Sequence, residues 1–124
     1  MIEKKIGFIG GGNMAQSLIG GLINSGISPE TIWVAEPLPP LRTKLKSKFG
    51  VKVSAKNSEV AEAVTLLVLA VKPQIMQEAI ASLKDTVALK SILMLSVAAG
   101  IDIKSIETWF EGHPAVVRVM PNTP

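Results

Sequence analysis

The stretch that decides the fold is Ile6-Gly7-Phe8-Ile9-Gly10-Gly11-Gly12-Asn13-Met14-Ala15, an apolar run followed by a turn of glycines. It fits the pattern G-x-G-x-x-G/A, in which a β-strand passes through a tight turn into an α-helix. In that pattern Gly10 permits the turn and Gly12 leaves room for the backbone to approach a diphosphate. Ala15 lets the helix lie close to the sheet. The stretch therefore predicts the first strand, the first helix and a binding turn between them.

The start of this helix is the predicted anion site. Backbone N–H groups near Asn13 and Met14 have no partner within the helix, and they lie at the positive end of its dipole. A phosphate group is a suitable ligand for such a helix start. We therefore expect a dinucleotide here, although a purely structural turn or a methyltransferase-type site for an adenosine cofactor would share the same glycines.

The rest of the chain alternates short apolar runs with longer stretches of helical spacing, which is typical of a β-α-β-α order. The predicted strands are 5–9, 31–36, 51–54, 65–71, 91–97 and 116–120. The first, fourth and fifth are apolar throughout, as expected for parallel strands that helices cover on both faces. The predicted fold class is thus α/β, a doubly wound parallel sheet (Rossmann fold) of about six strands in the order 3-2-1-4-5-6, with helices on both faces. Residues 1–124 are expected to form this single dinucleotide-binding domain.

The helices are predicted from apolar periodicity and from their end signals. The expected ranges are 13–25, 40–48 and 74–84, with a short helix capped by Asn57 or Ser58 and another after Asp102. The apolar positions of the first are Met14, Ala15, Leu18, Ile19, Leu22 and Ile23, and those of the helix over 74–84 are Ile75, Met76, Ala79, Ile80 and Leu83. Gly20 and Gly21 weaken the first helix, so a close approach of helix to sheet is expected there.

Composition excludes several classes of function. The chain of 124 residues has no cysteine and one histidine, so thiolate chemistry is impossible and no metal site is expected. Its apolar runs are too short to span a bilayer, and its basic residues are dispersed rather than gathered on one face. Neither a membrane nor a nucleic acid is an expected partner. Without the long apolar core of a signal peptide at the N-terminus, a cytoplasmic location is expected.

Glu36 is the candidate for recognition of the adenosine ribose. It ends the second predicted strand, where an acidic side chain can accept hydrogen bonds from both ribose hydroxyls and repel a 2′-phosphate. The basic residues Arg42, Lys44, Lys46 and Lys48 follow and could attract that phosphate instead. The sequence therefore predicts NADH or NADPH as cofactor and leaves the choice between them open.

Four segments together resemble the pyrroline-5-carboxylate reductase family, and the resemblance covers the entire chain. They are the glycine turn, Ala70-Val71-Lys72-Pro73-Gln74, Ser96-Val97-Ala98-Ala99-Gly100 and Arg118-Val119-Met120-Pro121-Asn122-Thr123-Pro124. Each lies at the carboxyl end of a predicted strand, the edge at which open α/β sheets bind ligands.

The resemblance implies reduction of the cyclic imine 1-pyrroline-5-carboxylate to proline by NADH or NADPH, as the last step of proline synthesis. It places Val71, Lys72 and Pro73 against the ribose and nicotinamide side of the cofactor. It brings Ala98 and Ala99 close to the nicotinamide, and it places Met120, Pro121 and Asn122 at the border of the imine substrate.

Two departures from the family bear on function. Glu36-Pro37 stands where many members carry a pair suited to a 2′-phosphate, which puts an NADP preference in doubt. The family also continues into a helical domain that dimerises and completes the substrate pocket, and the given sequence does not contain it. The catalytic residues are therefore unknown and expected mainly in that domain, the full-length protein is expected to be a homo-oligomer through it, and residues 1–124 alone are expected to bind dinucleotide without turnover.

Two other kinds of protein remain possible at this stage. Another Rossmann reductase, such as a hydroxyacid or prephenate-type dehydrogenase, would carry the same glycine turn. A stand-alone nucleotide-sensing module would bind a dinucleotide without any chemistry.

Overall fold

The computed structural model describes residues 5–89, 92–97 and 115–118, and its strands form one parallel sheet. The strands are β1 (Ile6–Ile9), β2 (Ile32–Ala35), β3 (Lys52–Ser54), β4 (Leu66–Leu69), β5 (Leu93–Ser96) and β6 (Ala115–Arg118). The helices are α1 (Asn13–Asn24), α2 (Pro39–Phe49), α3 (Asn57–Ala63), α4 (Pro73–Ala81) and α5 (Lys84–Leu89), and a 3-10 turn covers Pro29–Thr31. The strand order β3-β2-β1-β4-β5-β6 confirms the predicted doubly wound sheet.

Helices cover both faces of the sheet because successive strand residues point to opposite sides. On one face Phe8 and Val68 pack with Ala15 and Ile19 of α1 and with Leu45 of α2. On the other face Ile9, Leu67 and Leu69 pack with residues of α3 and α4. The strands pair in parallel register. Ile6, at the start of β1, pairs with Ile32 and Leu66, and Ile9, at its end, pairs with Ala35 and Leu69. The carboxyl ends of β1, β2 and β4 therefore lie at one edge of the sheet.

The close approach predicted at Gly20 and Gly21 is wrong. A Cβ at Gly20 would lie 3.8 Å from its nearest neighbour, Cε1 of Phe49, and a Cβ at Gly21 would meet nothing within 4 Å. The tight contact is on the opposite face, where a Cβ at Gly7 would lie 2.7 Å from Cγ1 of Val60 in α3. The sheet and a helix thus approach most closely through a glycine in the strand.

The apolar face of α1 is narrower than predicted. Ala15 and Ile19 are fully buried, but Met14 is 38% exposed and Leu18 is 36% exposed. A helix packed on a sheet buries only the positions that point toward the strands, and the flanking positions stay near the surface.

The helix predicted over 74–84 is interrupted. The structure ends α4 at Ala81 and begins α5 at Lys84, and between them Ser82 donates its hydroxyl to the carbonyl of Ala79. A serine side chain that bonds to a preceding carbonyl competes with the regular helix ladder, which explains the break. The helix predicted after Asp102 lies outside the described residues.

The cap predicted for α3 is also wrong. The residue before the helix is Lys56, and Asn57 is its first residue. Instead of capping, the Asn57 amide donates to the hydroxyl of Ser82 at 3.0 Å, across 25 residues of sequence.

Candidate functional site: a cleft at the glycine turn

The turn after β1 is held by contacts that only a glycine at its first position permits. Gly10 has φ +98°, a left-handed conformation that strains other residues. A Cβ there would lie 2.8 Å from the carbonyl oxygen of Ala70, the residue after β4. The Gly10 N–H donates to the carbonyl of Ala35 at 2.9 Å, which ties the turn to the end of β2. These contacts support the predicted role of Gly10 in permitting the turn, while its contact with a cofactor stays a prediction.

The middle glycine, Gly11, is more constrained than the motif implies. Its N–H donates to Oε1 of Glu36 at 3.0 Å, and its carbonyl accepts a hydrogen bond from the side chain of Gln16 at 3.0 Å. A Cβ at Gly11 would lie 2.6 Å from Cδ1 of the buried Leu45. The motif leaves this position and Gln16 unspecified, so sequence reasoning missed both.

The third glycine, Gly12, leaves the space beside the start of α1 unoccupied. Gly12 precedes α1, has no side-chain cap, and accepts the first hydrogen bond of the helix, from Gln16 N–H at 3.0 Å. No acidic residue occupies the first turn, where Asn13 and Met14 are exposed. A Cβ at Gly12 would meet nothing within 4 Å. The start of α1 thus has open space beside Gly12 and neither a side-chain cap nor an acidic residue, as an anion at a helix start requires.

Ala15 does not line the cleft; it lies in the core, between α1 and the sheet. It is fully buried against the sheet, with no exposed surface. Its small side chain lets the first turn of α1 lie close to β1, which is the role the motif predicts. A direct contact between Ala15 and a cofactor stays a prediction.

Glu36 is a buried carboxylate at the end of β2, 6% exposed. Besides Gly11, its second oxygen, Oε2, accepts a hydrogen bond from the N–H of Leu38 at 3.0 Å. The nearby Arg42 does not pair with this carboxylate: its Nη1 donates to the carbonyl oxygens of Glu36 and Pro37, at 2.8 and 2.9 Å. Carboxylate and guanidinium therefore both brace the backbone that follows β2.

These elements surround a cleft of about 850 Å³ at the carboxyl edge of the sheet. It is lined by Gly10, Gly11, Gly12, Ala35, Glu36, Pro37, Leu38, Ala55, Lys56, Asn57, Ser58, Ala70, Val71, Lys72, Ile75, Glu78, Ala79 and Ser82. Among the predicted site residues, Gly10, Gly12, Glu36, Val71 and Lys72 are brought together here. Asn13, Met14, Ala15 and Pro73 adjoin the cleft without lining it, and Ala98, Ala99, Met120, Pro121 and Asn122 lie outside the described residues.

One wall of the cleft comes from residues that the sequence analysis assigned elsewhere or passed over. Ile75 was predicted to be buried, but it is 44% exposed and faces the cleft from α4. The hydrogen bond between Asn57 and Ser82 joins the start of α3 to the end of α4 along the same wall. An exposed isoleucine on an otherwise buried helix face is recognisable only once the neighbouring helices are placed.

The charges of the cleft are mixed. Lys56 follows β3 and Lys72 follows β4, while Glu36 and Glu78 supply carboxylates. Lys44, Lys46 and Lys48 project from α2 as exposed side chains and do not line the cleft.

Two searches over the described residues bear on other kinds of site. Within 5–89, 92–97 and 115–118, no three His, Asp or Glu side chains gather closely enough to hold a metal ion. In the same residues no helix is long and apolar enough to cross a membrane.

Comparison with known proteins places this cleft in context. Residues 5–100 match the family described as NADP oxidoreductase, coenzyme F420-dependent. A pyrroline-5-carboxylate reductase of Pseudomonas aeruginosa is 40% identical over 124 residues, which is 100% of this chain and 45% of that protein. The chain thus spans about half the length of the relatives it matches.

Solved structures agree with these relatives. A pyrroline-5-carboxylate reductase from Coxiella burnetii superposes with a TM-score of 0.92 at 38% identity, over 98% of this chain and 45% of that one. A pyrroline carboxylate reductase from Plasmodium falciparum with NADP bound gives a TM-score of 0.84 at 30% identity, over 100% of this chain and 44% of that one. The resemblance seen in the sequence is confirmed.

Proposed function

This chain belongs to the family described as NADP oxidoreductase, coenzyme F420-dependent, and on that premise we propose that it is the dinucleotide-binding half of a pyrroline-5-carboxylate reductase. Such an enzyme reduces 1-pyrroline-5-carboxylate to proline with NADH or NADPH. The observation that carries the proposal is the open start of α1, which has no side-chain cap and follows Gly12, a residue that lines the cleft and at which a Cβ would meet nothing within 4 Å.

The residues of the cleft fit the parts of a dinucleotide. In the proposed arrangement the diphosphate lies against the N–H groups of Asn13 and Met14, since no acidic side chain competes for that helix start. The adenosine ribose lies beside Glu36 at the end of β2, as in other folds of this kind. Val71 and Lys72, which line the cleft after β4, continue the site toward the nicotinamide.

The chemistry is divided between the cofactor and the protein. A reduced nicotinamide, when bound, supplies the hydride that the imine carbon accepts. The role of this chain is to hold and orient the dinucleotide and to keep water away from its reactive face. Two sets of contacts are proposed from the resemblance alone. The nicotinamide would lie beside Pro73, Ala98 and Ala99, and the imine would lie beside Met120, Pro121 and Asn122.

The remaining parts of the activity are proposed for a second, helical domain such as the family resemblance implies. That domain would complete the pocket for the imine, supply the proton donor and form a homo-oligomer. We accordingly propose that residues 1–124 alone bind dinucleotide without catalysing imine-dependent oxidation of NADH or NADPH, and that the enzyme acts in the cytoplasm. Imine-dependent oxidation by the purified chain would overturn the division of labour between the two domains.

Calorimetric titration of the chain with NADH and NADPH tests the binding proposal. The informative variant is Gly12→Thr, because threonine begins a helix about as well as glycine but would place its side chain where the diphosphate must lie. We expect its affinity for both dinucleotides to fall by at least about 100-fold, or about 2.7 kcal/mol.

The matched control is Gly21→Ala, which adds a Cβ to the same helix where nothing lies within 4 Å. Its affinity should equal that of the parent chain. The proposal fails if the parent chain binds neither dinucleotide, or if Gly12→Thr binds as tightly as the control.

A further inference from the structure

Glu36 is held in place by two backbone N–H groups, one in the glycine turn and one in the segment that follows β2. Oε1 accepts from the N–H of Gly11 and Oε2 from the N–H of Leu38, each at 3.0 Å, and the residue is 6% exposed. A carboxylate with two backbone donors cannot turn away from the site without breaking a buried hydrogen bond. Its carboxylate is therefore held at a fixed position in the wall that adjoins the glycine turn.

The carboxylate also keeps acceptor capacity for a ligand. Each carboxylate oxygen has two lone-pair directions, and the backbone N–H groups use one on each oxygen. Glu36 lines the cleft at the end of β2, the strand next to β1 and its glycine turn. Hydroxyl groups of a ribose bound there would find acceptors, whereas a phosphate on the same ribose would meet a fixed negative charge.

Within the described residues, no ion pair joins the Glu36 carboxylate to a basic side chain, and its hydrogen bonds come from the main chain. Arg42 is held by two main-chain carbonyls, those of Glu36 and Pro37. The lysines of α2 do not line the cleft. Lys56 and Lys72 do line it, from the connections that follow β3 and β4.

We infer that this chain selects NADH over NADPH, and that Glu36, positioned by the N–H groups of Gly11 and Leu38, is the residue that determines this selectivity. The inference rests on the proposed dinucleotide function and specifies which dinucleotide the site takes.

Side-by-side titration of the 124-residue chain with NADH and NADPH tests the inference. We expect NADH to bind at least about tenfold more tightly. The variant Glu36→Gln removes the charge with little change in shape, and one of the two backbone N–H groups loses its acceptor because an amide nitrogen only donates. The ratio of the two affinities should fall to within about threefold, mainly through tighter binding of NADPH. The control Glu30→Gln makes the same chemical change at an exposed position on the 3-10 turn that precedes β2, and it should leave the ratio unchanged.

A measurement on the parent chain alone keeps the inference testable if Glu36→Gln folds poorly. Adenosine 5′-monophosphate should compete with bound NADH more strongly than adenosine 2′,5′-bisphosphate, because the two differ only in the phosphate that Glu36 would repel. Equal or tighter binding of the bisphosphate, or of NADPH, overturns the inference and leaves the proposed function standing. An NADH preference that Glu36→Gln does not reduce overturns the role of Glu36, whereas failure of both dinucleotides to bind overturns the proposed function itself.

Discussion

Gly7 in β1 and Gly10 in the turn after it differ sharply from the glycine pair inside α1. Cβ atoms at Gly7 and Gly10 would lie within 3 Å of neighbouring atoms, while Gly20 and Gly21 have ordinary or open surroundings. The first pair is required by backbone conformation or by packing, and the second pair is not. Glycine is thus required at one pair of positions and not at the other, and substitution by alanine should show the difference in stability.

The largest effect is expected at Gly10. Alanine there would adopt an unfavourable positive φ and place its Cβ 2.8 Å from a carbonyl oxygen of the main chain, which cannot move easily. We expect Gly10→Ala to lower the free energy of unfolding by about 3 kcal/mol, measured by urea denaturation. Gly12→Ala, two residues later in open space, should lower it by only about 1 kcal/mol, because alanine is a poorer N-cap residue than glycine. Equal stabilities of the two variants would contradict the distinction drawn at this turn.

A smaller loss is expected at Gly7, where the obstacle is side chains rather than backbone. The new methyl group would lie 2.7 Å from Val60 and 2.9 Å from Val64, both buried in the core. We expect Gly7→Ala to destabilise the chain by about 1–3 kcal/mol through overpacking.

A double-mutant cycle makes the Gly7 prediction specific. Val60→Ala removes the methyl group that a Cβ at position 7 would overlap, so the double variant should be more stable than the sum of the two single effects predicts. Strict additivity would show that the strain lies elsewhere.

Gln16 provides a test of how the turn is braced. Its side-chain amide donates to the Gly11 carbonyl at 3.0 Å, and loss of that hydrogen bond in Gln16→Ala should cost about 1 kcal/mol of stability. Gln77→Ala, at an exposed position of α4, is the matched control and should be close to neutral. A loss of stability no greater than that of the control would show that the Gln16 side chain does not stabilise the turn.

The smallest effect has the opposite sign. Gly21→Ala adds a methyl group that meets nothing within 4 Å and replaces a poor helix former with the best one. We expect the free energy of unfolding to rise by about 0.5–1 kcal/mol, with a higher midpoint in thermal denaturation followed by circular dichroism. A loss of stability would mean that α1 approaches a neighbour through this residue after all.

Much of the fold could be predicted from the sequence because its signals are local. The continuous apolar runs of β1 and β4 require burial on both faces, and the β-α alternation then favours a parallel sheet with the observed order. The break between α4 and α5 was not predictable in the same way. It depends on Ser82, whose hydroxyl bonds to the carbonyl of Ala79 and also receives the Asn57 amide from another helix.

The residues of the candidate site likewise differ in how far the sequence predicts them. Gly10, Gly12 and Glu36 are recognisable from spacing alone, because the turn and the end of β2 occupy known places in this kind of sheet. Ile75 and Asn57 are not, since their presence in the cleft depends on where α3 and α4 lie against the sheet.

The sequence by itself determined the alternation of strands and helices and the glycine turn with its exposed helix start, because each depends on residues within one short segment. Only the tertiary structure decided that Glu36 bonds to Gly11 across 25 residues, that Arg42 turns to the main chain, and that Gly7 rather than Gly20 is the point of close packing. Those choices depend on which groups the sheet register and the packed helices bring within bonding distance, and no local pattern contains that information.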